Sequence, residues 1–84
     1  MLQIGIAVST QYDDTVMQNV EAHELGLRSA ILNRIGSFTE DQIKGEAGRN
    51  MLTESLKEVL NKELEELEGF GGIEIVHFTS FVLQ

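Results

Sequence analysis

The sequence contains no cysteine, no proline and no tryptophan. Without cysteine, the chain has no disulfide framework, no thiolate nucleophile and no cysteine-based metal site. No apolar run approaches the roughly 18 residues of a membrane-spanning helix. If the protein is anchored in a membrane, the anchor is therefore expected outside these 84 residues.

Basic residues are also scarce. Six Lys and Arg stand against fourteen Asp and Glu, and the net charge is −8. Binding to nucleic acid requires a positively charged surface that displaces counterions, and docking on anionic lipid has a similar requirement. The charge balance argues against both kinds of partner.

The first half of the sequence predicts a strand followed by a helix. From Leu2 to Val8 aliphatic residues alternate with small or polar ones, which is the period of a strand with one buried face. The helix is expected to run to about Ile35, with an apolar stripe at helical spacing. The stripe consists of Val16, Val20, Leu27, Ile31 and Ile35. Leu25 and Leu32 lie on a second face of this helix.

The second half predicts two more helices and a closing strand. Thr39 and Gln42 have capping-box spacing and start a short helix. A longer helix is expected from about Ala47 to Leu67, ended by the glycines that follow it. Its predicted buried side consists of Leu52, Leu56, Val59, Leu60 and Leu67. With a second strand from Ile73 to Leu83, the predicted fold is α+β in the order β-α-α-α-β, and its helices cover a small sheet.

The closing strand does not alternate simply. Ile75 and Phe81 share one nominal face, whereas Val76, Phe78 and Val82 share the other. Either both faces are covered, or a bulge switches the facing midway. Two strands alone also make a poor sheet, so a further strand or a neighbouring subunit is expected to complete it.

Residues suited to catalysis or metal binding are few and isolated. His23 is expected at the boundary of its helix and His77 in the closing strand, and neither has a second ligand at chelating spacing. The "GFGG" segment follows a helix and precedes a strand, the reverse of a phosphate-binding loop. The acidic run from Glu63 to Glu68 is expected to be a solvated face, or alternatively a contact for cations or a basic partner. The sequence therefore predicts no enzyme, no metal and no cofactor.

Four stretches resemble one protein family in the same order: "LQIGIAVS", "LRSAILNRIGSFTEDQIKGEAGRNML", "LKEVLNKEL" and "IEIVHFTSFVLQ". Together they resemble the periplasmic domain of the FliL family of flagellar basal-body-associated proteins. That family has a Thr-Glu-Asp turn, a Gly-Lys/Arg pair at the start of a helix, and a terminal Phe-Thr-x-Phe-Val-x-Gln strand. The matching positions include Arg28, Thr39, Gly48, Arg49, Phe78, Thr79, Phe81 and Gln84.

The resemblance implies that residues 1–84 are a single periplasmic domain of a single-pass inner-membrane protein, whose transmembrane helix lies outside this sequence. It also implies a fold similar to the stomatin/prohibitin-type domain and homo-oligomers that include rings. The implied partners are flagellar stator proteins and basal-body components, and the implied role is support of torque and motility. The family offers no catalytic residues to carry over.

Two classes of function remain open. One is a scaffold that oligomerises around the motor, and the other is a small periplasmic adaptor that binds a peptide or protein on an open sheet edge. Leu25 and Leu32 favour the scaffold, since paired aliphatic residues away from the core stripe indicate a lateral contact. The expected interface comprises Leu25, Leu32 and Phe38, with Glu63 and Glu66 facing solvent or a basic partner.

Overall fold

The structure, a computed structural model, describes residues 2–12 and 14–83. Two strands, β1 (Leu2–Ser9) and β2 (Ile75–Leu83), pair antiparallel. Between them in the chain lie four helices: α1 (Asp14–Ala22), α2 (Glu24–Gly36), α3 (Glu40–Lys44) and α4 (Glu46–Glu68). The predicted α+β class and the pairing of the first and last segments are confirmed. The order is β-α-α-α-α-β, because the first predicted helix is two helices.

The break in alternation along β2 is a bulge. Ser80 lies opposite Gly5 and Phe78 opposite Ile6, so Thr79 is an extra residue without a partner in the register. This insertion puts Phe78 and Phe81 on the same face of the sheet, where both pack against the core. Their rings meet edge to face with centroids 5.4 Å apart. The bulge was one of the two predicted alternatives, and the structure selects it.

The helix predicted to run to Ile35 bends at His23, which separates α1 from α2. His23 has φ −114° and ψ 24°, outside the helical range. The backbone hydrogen bonds continue through the bend, from His23 N–H to Asn19 O at 3.1 Å and from Leu27 N–H to His23 O at 3.0 Å. The bend lets α1 reach the end of α4, while α2 packs along the length of α4.

Local sequence signals set the ends of α3 and α4. The predicted capping box is confirmed: Gln42 N–H donates to the Thr39 hydroxyl, and Thr39 N–H donates to the Gln42 side chain at 2.7 Å. At the other end, Gly69 takes the left-handed conformation with φ 79°, and its N–H donates to Glu65 O. A glycine is favoured at this position because a Cβ makes that conformation costly.

The core lies between α4, the other helices and one face of the sheet. Its buried members are Val16, Leu27, Ile43, Leu52, Leu56, Leu60, Leu64, Ile73 and Val76. Val20, Ile31 and Val59 are half-buried against them. The predicted apolar stripes pack mainly on one another, and α4 is the helix that makes the main contact with the sheet, through β2. One prediction was wrong: Leu67 is exposed, and Leu64 takes the buried position in its place. Leu64 lies on the face of α4 that packs against its partners, whereas Leu67, one turn later, lies off that face and is exposed to solvent.

Candidate functional site

The two histidines lie in different settings. His23 donates from Nε2 to Glu68 Oε1 at 2.7 Å, which ties the α1–α2 bend to the end of α4. His77 is exposed on β2, on the face away from the core. Within residues 2–12 and 14–83, no group of three or more His, Asp or Glu side chains is placed to hold a metal ion. The surface features that suit a contact with another protein are apolar side chains on α2 and beside β1.

A row of exposed side chains follows the outer face of α2. Leu25 is 84% exposed and Leu32 is 68% exposed. Arg28 lies between them on the same face, with Nη2 3.3 Å from the Glu24 carboxylate one turn earlier. We call Leu25, Arg28 and Leu32 the α2 ridge. The sequence placed both leucines off the core stripe, and the structure leaves both with most of their surface in solvent.

A cleft of about 750 Å³ separates β1 from α2. Its walls are mainly aliphatic and include Ile4 and Ile6 from β1, and Val20, Leu27 and Ile31 from the helices. Gln3, Glu24, Arg28 and Leu32 also line it. Two members of the α2 ridge, Arg28 and Leu32, therefore line the cleft, and Leu25 lies beyond it on the same helix face.

The cleft follows a free edge of the sheet. In the described part of the chain the sheet has only β1 and β2, so β1 has no strand partner on the side away from β2. An edge strand presents backbone N–H and C=O groups that another extended segment can pair with. Strand β2 likewise has no strand partner on the side away from β1, so in the described part of the chain either strand could pair with the further strand that the sequence predicts.

The remaining predicted interface residues differ in accessibility. Phe38 is half-buried and packs against the core. Its N–H donates to Ile35 O at 3.0 Å, at the end of α2. Glu66 is exposed on α4 and Glu63 is half-buried. The last turn of α4 contains no basic residue. Phe38 thus offers only part of its ring to a partner, whereas Glu66 is an exposed side chain.

Three of the family-like motif residues act on the local backbone. Thr39 caps α3. Gly48 lies where α4 passes α3, and a Cβ at this position would overlap the Gln42 carbonyl oxygen. Arg49 donates to Lys44 O at 2.8 Å, and its guanidinium lies 5.5 Å from the centre of the Phe81 ring. Thr39 and Gly48 shape the α3–α4 corner, and Arg49 joins that corner to β2.

The terminal motif builds the bulge. Phe78 and Phe81 flank the extra residue Thr79, and both rings turn toward the core. Arg28 is an exposed member of the motif, on the α2 ridge, and Thr39 and Thr79 are exposed as well. Gln84, the last position of the motif, lies outside the described residues.

Sequence reasoning missed Asn61, a polar residue that ties α4 to the start of the closing segment. Its side chain accepts from Ile73 N–H at 2.8 Å and donates to Ile73 O at 3.0 Å. It also missed Arg34, which donates to the Ser55 hydroxyl at 2.6 Å and joins α2 to α4. One sign of this role was present in the sequence: asparagine has a low helix propensity, yet Asn61 lies in the interior of a long helix.

Comparison with known proteins finds similarity over the whole length of the chain. The family described as "Flagellar basal body-associated protein FliL" matches residues 1–84. The chain is 27% identical over 84 residues to the flagellar protein FliL of Bacillus subtilis and 36% identical over 83 residues to that of Aquifex aeolicus. It spans 56% and 47% of these two relatives, about half of their length, while they cover 100% and 99% of the chain. Among the residues that the structure describes, no helix is both long and apolar enough to cross a membrane.

Proposed function

Because this chain belongs to the FliL family of flagellar basal body-associated proteins, we propose that it is a non-catalytic scaffold domain of the flagellar motor. It forms homo-oligomers, including rings, around the stator units and thereby supports torque and motility. Its partners are neighbouring copies, stator proteins and other basal-body components. The observation that carries this proposal is the α2 ridge, where Leu25 and Leu32 are exposed on one helix face two turns apart.

Exposure of two leucines on one helix face is unfavourable unless a partner covers them. Burying a leucine side chain is worth roughly 1.5–3 kcal/mol, and clustered exposed apolar residues mark protein contacts. The ridge adjoins the aliphatic β1–α2 cleft, so a partner covering the ridge also shields the cleft wall. A small-molecule site would instead need convergent polar groups at the floor of a pocket, and the polar residues of this cleft are few.

We also propose where in the cell the domain lies. The domain, spanning residues 1–84, lies in the periplasm and is attached to the inner membrane by a transmembrane helix outside this sequence. Its fold is similar to the stomatin/prohibitin-type domain, which assembles into rings. Tethering to a membrane raises the effective concentration of each copy, so a lateral contact that is weak in solution becomes sufficient.

The test is a double substitution on the ridge of the whole membrane-bound protein. Leu25→Asp together with Leu32→Asp places two charges in the proposed contact, and we expect ring or filament formation and swimming to be lost. Met51→Asp on α4 is the matched control, since Met51 is also an exposed apolar helix residue but lies on a different helix. If assembly and motility both survive the double substitution, the lateral contact is wrong.

The β1–α2 cleft supports a second candidate, an adaptor that captures an extended peptide or protein segment. An added strand would pair with the free edge of β1 and place alternate side chains in the cleft. Amide hydrogen exchange distinguishes the two functions. If β1 captures a segment, the β1 amides should exchange more slowly when a partner is bound, and the Leu25→Asp, Leu32→Asp variant should show the same slowing. If the domain is a scaffold, the changes in amide exchange should be centred on α2.

A further inference from the structure

Tyr12 and Phe70 form an exposed aromatic pair where the loop after β1 meets the loop after α4. Their ring centroids are 4.9 Å apart, and the rings meet edge to face at an interplanar angle of 86°. Tyr12 is 55% exposed and Phe70 is 44% exposed, so about half of each side chain remains in solvent. Aromatic side chains contribute strongly to contacts between proteins, because each buries a large apolar area. The pair is thus an apolar surface that the described part of the domain leaves largely uncovered.

The backbone beneath the pair is fixed by contacts between the two loops. The Thr10 hydroxyl donates to Gly72 O at 2.7 Å and accepts from the Tyr12 N–H at 3.1 Å. The Phe70 ring lies close over Gly72, since a Cβ added to that glycine would be 2.9 Å from the ring. The two rings are therefore positioned by the domain itself, which lowers the cost of ordering them when a partner binds.

The negative charge of the protein is concentrated in the two parts of the chain that carry this pair. Residues 1–27 contain four Asp and Glu, residues 63–84 contain five, and neither part contains Lys or Arg. Residues 28–62, in contrast, contain six basic and five acidic side chains. Asp14 at the start of α1 and Glu68 at the end of α4 each lie two positions from one of the rings. The last turn of α4 has no basic residue to offset the negative end of the helix dipole, so the surroundings of the pair favour a cation.

We propose that Tyr12, Phe70, Asp14 and Glu68 form a docking surface for a basic segment of another protein, in which Arg or Lys lies beside apolar residues. We call these four residues the aromatic–acidic surface. The face of an aromatic ring attracts a cation, and the neighbouring carboxylates attract the same charge. The apolar residues beside the cation cover the exposed parts of the two rings. The excess of negative charge in this half of the chain also steers a basic partner toward it.

A second copy of this chain is a poor source of such a segment. The chain carries a net charge of −8, and its basic residues are few. Four of the six already contact other groups of the chain, namely Arg28, Arg34, Lys44 and Arg49. The partner is therefore a different protein, and the inference does not depend on self-assembly through the α2 ridge.

The fluorescence of the chain itself can test this surface. Tyr12 is the only tyrosine and the sequence contains no tryptophan, so the intrinsic emission of the 84-residue chain reports on Tyr12. The probe is a short synthetic peptide in which arginine and leucine alternate. We expect a saturable change in Tyr12 emission whose midpoint moves to higher peptide concentration as salt is added, because salt screens the charges. The same peptide with glutamate in place of arginine should not bind.

Two variants test the two parts of the surface. Phe70→Leu keeps an apolar side chain but removes the aromatic face, and it should weaken binding of the arginine peptide about two- to five-fold. Glu68→Gln should also weaken binding. Glu54→Gln is its matched control, because it removes the same charge from an exposed position of α4 about 20 Å away along the helix axis. It should change binding less than Glu68→Gln does.

A third variant separates this surface from the α2 ridge. Leu25→Ser together with Leu32→Ser removes the ridge leucines without adding charge, and this variant should bind the arginine peptide as the unsubstituted chain does. The proposal is overturned if the arginine peptide leaves Tyr12 emission unchanged, if the glutamate peptide binds equally well, or if Phe70→Leu has no effect. It is also overturned if Glu54→Gln weakens binding as much as Glu68→Gln, or if the ridge variant loses binding.

Discussion

Gly48 and Asn61 show how much of this fold depends on single side chains that meet backbone atoms. At Gly48, α4 passes so close to α3 that even a methyl group would overlap the Gln42 carbonyl oxygen. At Asn61, one amide side chain satisfies both the N–H and the C=O of Ile73, a buried residue just before β2. Each contact joins two elements without contributing apolar area. At this scale, the geometry of the backbone is what restricts the choice of residue.

Gly48→Ala should destabilise the protein by about 1–3 kcal/mol or more, because α3 has to move to accommodate the added methyl group. Gly26→Ala is the control, since Gly26 also lies inside a helix but a Cβ there would meet nothing within 4 Å. That substitution should stabilise the protein by roughly 0.5–1 kcal/mol, as alanine favours the helix. Urea unfolding of the two variants measures both effects, and changes of the same sign would contradict this account of the corner.

Among the elements, α4 is the one that organises the core. It contributes four buried leucines, Leu52, Leu56, Leu60 and Leu64, and it contacts α1, α2, α3 and β2. The bend at His23 is a consequence, since α1 and α2 follow two different stretches of α4. The bulge at Thr79 has a similar origin, because it turns both Phe78 and Phe81 toward the core that α4 fills.

Leu56→Ala should lower the free energy of unfolding by about 2–5 kcal/mol, because it leaves a cavity at a position with no exposed surface. That is a large part of the whole stability of a small domain. Phe81→Ala should cost less, since Phe81 is only half-buried. Leu32→Ala on the α2 ridge is the control and should change little, because Leu32 is already mostly in solvent. Thermal or urea unfolding checks the order, and a fully stable Leu56→Ala protein would be inconsistent with the observed core.

For the molecule as a whole, charge opposes the association that its apolar surface favours. A net charge of −8 makes copies of the chain repel one another. The α2 ridge and the adjoining cleft supply apolar surface whose attraction salt does not screen. The balance between these two effects decides whether the isolated chain associates.

We therefore expect weak self-association that strengthens as the salt concentration rises from about 0.05 to about 0.5 M, since screening weakens the repulsion over this range. Sedimentation of the 84-residue chain measures the effect. The Leu25→Asp, Leu32→Asp double variant should remain monomeric at both salt concentrations. Association that weakens with salt would mean that ion pairs, and not the ridge, form the contact.

Much of the fold is predictable from the sequence because its signals are local. The alternation in β1 and the capping box at Thr39 each depend on residues within a few positions of one another. The same is true of the glycine that ends α4. The separation of Leu25 and Leu32 from the core stripe also follows from helical spacing alone, and it located the candidate interface. These features were predicted correctly since the physical cause of each lies within one element.

The tertiary structure decided the features whose causes lie in two elements that are distant in sequence. The bend at His23 follows from the packing of α1 and α2 on α4 and brings His23 to Glu68, and the choice of a bulge at Thr79 depends on the pairing of β2 with β1. Leu64 is buried in preference to Leu67 because the partners of α4 lie on one side at its end. The β1–α2 cleft exists only because α2 follows α4 and leaves the free edge of β1 uncovered. A periodic pattern shows which face of an element is apolar, but only packing determines which part of that face is covered.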